Sequence, residues 1–69
     1  MFYTIIIHLY SEMEPRIYHD VVKRITIPIG SEEFVFLRNK DDTCRCYINV
    51  KDIRRMTIEV QTDDIRTAN

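Results

Sequence analysis

The stretch "VVKRITI" at residues 21–27 returns almost unchanged as "DIRRMTI" at 52–58, and this recurrence does most to limit the fold. The match extends backwards. Tyr18-His19-Asp20-Val21 answers to Tyr47-Ile48-Asn49-Val50, and after the insertion of Lys51-Asp52 the segments 22–27 and 53–58 align. The second copy follows a hairpin pattern, "EFVFL", polar "RNKDD", then "TCRCYINV", and loops of about four or five residues commonly close hairpins. By analogy the first copy is also strand, bend, strand. Pro15 at a first helical position, Glu14 as cap and the spacing of Ile17, Val21 and Ile25 leave a short helix at 15–24 as the rival.

The opening "FYTIIIHLY" is rich in β-branched and aromatic residues. Its alternation puts Tyr3, Ile5, Ile7 and Leu9 on a core face and Phe2, Thr4, Ile6, His8 and Tyr10 on the other. The sequence therefore predicts an all-β protein of about six short strands, at 2–10, 16–21, 23–29, 33–38, 43–49 and 54–61. These form two similar three-stranded meanders, an internal repeat of 1–29 and 30–61 joined at Gly30-Ser31. Small isolated sheets are marginal, so the two halves are expected to pack as a small sandwich or partly open barrel, one domain over 1–61. The α+β alternative carries the helix at 15–24. The polar segment 62–69 is expected to be a flexible tail.

At 69 residues the chain is near the lower limit for a self-sufficient core. Its 45% hydrophobic and 30% charged residues are those of a globular domain. A net charge of −1 argues against a dedicated polyanion binder, so nucleic acid ranks below other partners. The single glycine excludes dinucleotide-binding and P-loop signatures. No apolar run approaches the roughly 20 residues that span a bilayer, and no cationic leader with a cleavage site opens the chain. A cytoplasmic protein without membrane partners is the expectation.

Candidate chemistry is sparse. Arg24 shares a strand face with Thr26, and Arg55 with Thr57, so a symmetric pair of halves brings two guanidinium forks and two hydroxyls to one anion site. Tyr18 and Tyr47, equivalent in the repeat, supply stacking surfaces for a nucleotide-like ligand. The plainer alternatives are solvated outer-face charges and cross-strand packing. Cys44 and Cys46 point to one side of a strand, too far apart for the about 3.5–4.5 Å between Cβ atoms of a disulfide. With His8 and His19 they are the only conceivable soft metal set, but their spacing fits small core hydrophobes better. We therefore expect no metal and no cofactor, and no nucleophile stands with a base at a useful spacing, so we expect no catalysis. Both faces of the first strand are apolar, and Phe2, Ile6 and Tyr10 mark an interface. The function expected is a non-enzymatic binding module, a homo-oligomer acting on an unidentified protein as inhibitor or adaptor. An anionic small molecule is the alternative ligand, and nucleic acid bound through a local basic patch the third.

Overall fold

The computed structural model describes residues 1–41 and 44–61, with the side chains of Cys44 and Arg45 outside that description. The expected flexible tail 62–69 lies outside the described residues. Five strands form one open antiparallel sheet: β1 (Tyr3–Leu9), β2 (Arg16–Ile29), β3 (Glu32–Asn39), β4 (Cys44–Asn49) and β5 (Ile53–Val60). Their order is β4-β3-β2-β1-β5. The sequence predicts six strands in a sandwich or partly open barrel; the sheet is neither a sandwich nor a closed barrel, and the helix at 15–24 is not formed.

The difference has one origin. The strands expected at 16–21 and 23–29 are a single strand, β2, whose first part pairs with β1 and whose second part pairs with β3 on its other side. No turn separates them because Asp20 takes a left-handed φ of 60° inside the strand, which a short polar side chain tolerates. Its backbone N–H donates to Gln61 Oε1 at 2.7 Å, and Gln61 Nε2 donates to Asp20 Oδ1 at 3.2 Å. The groups of three that result are β5-β1-β2 and β2-β3-β4, not consecutive meanders. Within β1, the alternation of Ile5, Ile7 and Leu9 faces the core as the sequence predicts.

The sheet must curl. Its edge strands β4 and β5 are joined only by the 3-10 turn Val50–Asp52, a reach of about 2 Å per residue. A flat sheet would separate those edges by about four spacings of about 4.8 Å. The turn touches both ends of the curl: Lys51 Nζ lies 3.2 Å from Glu32 Oε2 at the start of β3, and Tyr10 N–H donates to Asp52 O at 3.1 Å beyond the end of β1. Inside the curl Ile5, Ile7, Leu9, Val21, Val35, Leu37, Cys46 and Ile48 form the core, with Tyr3, Tyr18, Ile53 and Met56 packed against it.

Asn49 caps the 3-10 turn, its Oδ1 accepting from Lys51 N–H at 3.0 Å, and its Nδ2 donates to Glu32. Asn49→Ala is expected to cost about 1 kcal/mol of unfolding free energy, measured by urea titration. The hydrogen bonds from Lys51 and Asn49 hold the Glu32 carboxyl below the usual carboxylate range. A carboxyl with a lowered folded-state pKa stabilises above its unfolded pKa, and that stabilisation is lost as pH falls through the folded one. Glu32→Gln is therefore expected to lower stability at neutral and alkaline pH and to flatten the acid limb, the two proteins converging at the acid end. An unaltered acid limb in the variant would show that these contacts do not persist in solution.

Candidate functional site

The register of β2 against β3 slips at Val22: Val21 opposes Asn39 and Lys23 opposes Arg38, leaving Val22 as an extra residue. A bulge of this kind re-aims every side chain after it. Cross-strand partners in an antiparallel pair share a face. Arg24 and Thr26 oppose Leu37 and Val35, which point into the core, so the outer face takes Ile25, Ile27 and Ile29 opposite Phe36, Phe34 and Glu32. From β4, Tyr47 opposes Phe36 and Asn49 opposes Phe34 on that same outer side.

Three rings thus meet on the outside of the protein. Tyr47 stacks on Phe34 with centroids 4.8 Å apart and meets Phe36 edge-on at 4.7 Å. Tyr47 is 55% exposed and Ile29 48%, while Phe34, Phe36, Ile25 and Ile27 are half-buried. None of these six belongs to the core or packs against it. Lys23 and Arg38 border one end of the face, and Glu32 with Lys51 the other. An apolar patch with a charged rim is the usual form of a contact surface. The sequence signal was present in β3, where Phe34 and Phe36 alternate with Val35 and Leu37, so that both faces are apolar.

The residues singled out from the sequence do not converge. Arg24 and Thr26 lie on the core side of β2, exposed at its margin, whereas Arg55 and Thr57 oppose His8 and Ile6 on the outer face of β5 and β1. The two related phrases therefore present opposite faces, and the joint anion site is not formed. Tyr18 opposes Ile5 and packs against the core, apart from Tyr47 on the outer face. Of the interface trio, Phe2 and Ile6 are half-buried and Tyr10 is exposed. Ile6 lies between Ile17 and Thr57, the Phe2 carbonyl accepts from Gln61 N–H, and Tyr10 lies beyond the end of β1.

Cys46 is buried in the core, and the side chain of Cys44 lies outside the described residues. His8 Nε2 lies 3.4 Å from Arg55 Nη2, and His19 Nδ1 lies 3.1 Å from Thr4 Oγ1. Among the described residues no three of His, Cys, Asp and Glu gather as a metal site would require.

Among the described residues, hollows flank the sheet. One of about 340 Å³ is lined by Tyr3, Ile5, Val21, Ile58 and the bulge residues Val22, Lys23 and Arg24. It lies where β1 and β2 part company, apolar inside with two cations at its rim. Another, about 320 Å³, is the polar junction of Ser31, Glu32 and Glu33 with Asn49, Val50 and Lys51. No family model, no curated protein and no solved structure matches the chain.

Proposed function

We propose that the protein is a small non-catalytic binding module, a homo-oligomer that contacts another protein through the outer face of β2, β3 and β4. The observation that supports it is the cluster of Phe34, Phe36 and Tyr47 with Ile25, Ile27 and Ile29 outside the core. Aromatic side chains carry large contact area at low entropic cost and dominate binding surfaces. In water, burying one such side chain fully is worth about 1.5–3 kcal/mol, and only part of that gain is used in this face.

A photo-crosslinking amino acid placed at Tyr47, with exposed Glu12 as the control position, tests this in cells. The expected result is a discrete protein adduct from position 47, lost when Phe34→Lys is added, and none from position 12. Equal labelling from both positions, or none from either, overturns the reading. An adduct that carries nucleic acid would transfer the face to the base-stacking reading, with Lys23 and Arg38 as phosphate contacts.

A second reading, capture of an anionic small molecule with an apolar body, is favoured by the hollow at the bulge, where Arg24 and Lys23 stand beside Tyr3, Val21 and Ile58. It does not use Arg55, Thr57, Tyr18 or Tyr47. Native mass spectrometry of protein from cells is expected to retain a discrete small mass under this reading. Arg24→Ala would remove that mass without unfolding the chain.

A further inference from the structure

We propose that β5 is a self-pairing edge through which two copies join into one continuous antiparallel sheet, centred on Thr57. This specifies the homo-oligomer of the preceding reading and is independent of the aromatic face.

β5 ends the strand order, and among the described residues no strand pairs with its outer edge. It runs eight residues, Ile53–Val60. Within it stands no proline to interrupt pairing, and its charges, Arg54, Arg55 and Glu59, which would repel a partner strand of like charge, include both signs. The direction of its free hydrogen-bonding groups follows from one contact. Gln61 N–H donates to the Phe2 carbonyl at 2.9 Å, which makes Phe2 and Gln61 a hydrogen-bonded pair. With Thr4 opposite Glu59, Ile6 opposite Thr57 and His8 opposite Arg55, the alternation of antiparallel ladders turns the main-chain groups of 55, 57 and 59 toward β1. Those of Met56, Ile58 and Val60 turn outward.

A second β5 laid antiparallel beside the first must match these outward groups, so its register can shift only in steps of two residues. With the twofold axis at Thr57, Met56 lies opposite the partner's Ile58 and Ile58 opposite the partner's Met56, as hydrogen-bonded pairs. Arg55 then lies opposite the partner's Glu59, and Glu59 opposite the partner's Arg55, as the intervening closer pairs. Side chains approach most in such pairs, with Cα atoms about 4.5 Å apart. The ions share the outer face with Thr57, while Met56 and Ile58, the latter 44% exposed, extend the core side. Shifting the register by two residues either way sets Arg55 against Thr57 or Gln61 and leaves the carboxylate unmatched. One register of this edge is therefore complementary in charge, apolarity and main-chain pairing together, and the interface is isologous, as closed dimers require.

An edge of eight residues alone falls short of the about 800 Å² per partner of a standard interface, so dissociation is expected in the micromolar range. Sedimentation equilibrium of the full chain across that range tests the pairing. Wild type is expected to dimerise. Arg55→Glu alone and Glu59→Arg alone are each expected to weaken the dimer about tenfold or more, because both symmetry-related pairs turn repulsive. The double variant and an equimolar mixture of the two single variants are expected to restore it, and circular dichroism of each confirms that the fold is kept. A wild-type monomer throughout overturns this inference and the homo-oligomer with it, leaving the crosslinking result at Tyr47 untouched. A dimer indifferent to the single reversals, or one that neither the double variant nor the mixture rescues, overturns the β5 edge alone.

Discussion

Leu37→Ala is expected to remove about half of the protein's unfolding free energy. Leu37 is fully buried at the middle of β3, opposite Arg24 on one side and Cys46 on the other. Removing a buried leucine side chain costs about 2–5 kcal/mol, more where the surroundings cannot collapse into the space. At about 0.05–0.15 kcal/mol per residue, a chain of this length has roughly 3–10 kcal/mol in all. The loss is a large share of the total because the curl has one core and no second layer to fall back on. Far-ultraviolet circular dichroism under urea is the measurement, with Ile17→Ala as control. Ile17 is 53% exposed on the outer face, and its truncation is expected to shift stability by about 0.5 kcal/mol. Leu37→Ala within that same margin would mean that the core is not where the sheet curls.

The second large effect concerns the bend in β2. Asp20→Val forces a β-branched residue to φ 60°, a strain of about 1–3 kcal/mol. It also removes the carboxylate that accepts from Gln61, a hydrogen bond worth about 1 kcal/mol. Asp20→Gly loses that same bond but relieves the strain, so it is expected to lie within about 1 kcal/mol of wild type. The contrast separates backbone strain from side-chain contact. Equal destabilisation by valine and glycine would show that residue 20 does not hold the left-handed conformation in solution. Gln61→Ala removes both contacts to Asp20 while leaving the backbone preference, and it is expected to fall between the two.

Much of the secondary structure was legible from local pattern. The alternation of Ile5, Ile7 and Leu9 against Thr4, Ile6 and His8 marks a strand and its inner face directly, because the side-chain period of a strand is two whatever surrounds it. The turn at Gly30-Ser31 was equally plain, with glycine at φ 66° as a two-residue hairpin turn demands. A gap was read instead at residue 22, between strands 16–21 and 23–29, and this one misreading turned a shared strand into two separate meanders.

The candidate site was less legible. The related phrases at 21–27 and 52–58 invited a symmetric site, yet in β5 Met56 and Ile58 face inward while in β2 Ile25 and Ile27 face outward. Register shifts in both strands decide that inversion, at Asp20 and Val22 in β2 and between Ile53 and Arg55 in β5, and nothing in the local sequence announces them. The sequence by itself determined that strands dominate the fold and which alternate residues of β1 line the core, since these depend on neighbours along the chain. Tertiary structure alone decided that β2 serves two groups of strands, that the sheet curls, and which apolar face stays outside. Those outcomes rest on pairings between distant residues, as when Gln61, 41 positions away, holds Asp20 in its bend, and local propensity carries no record of them.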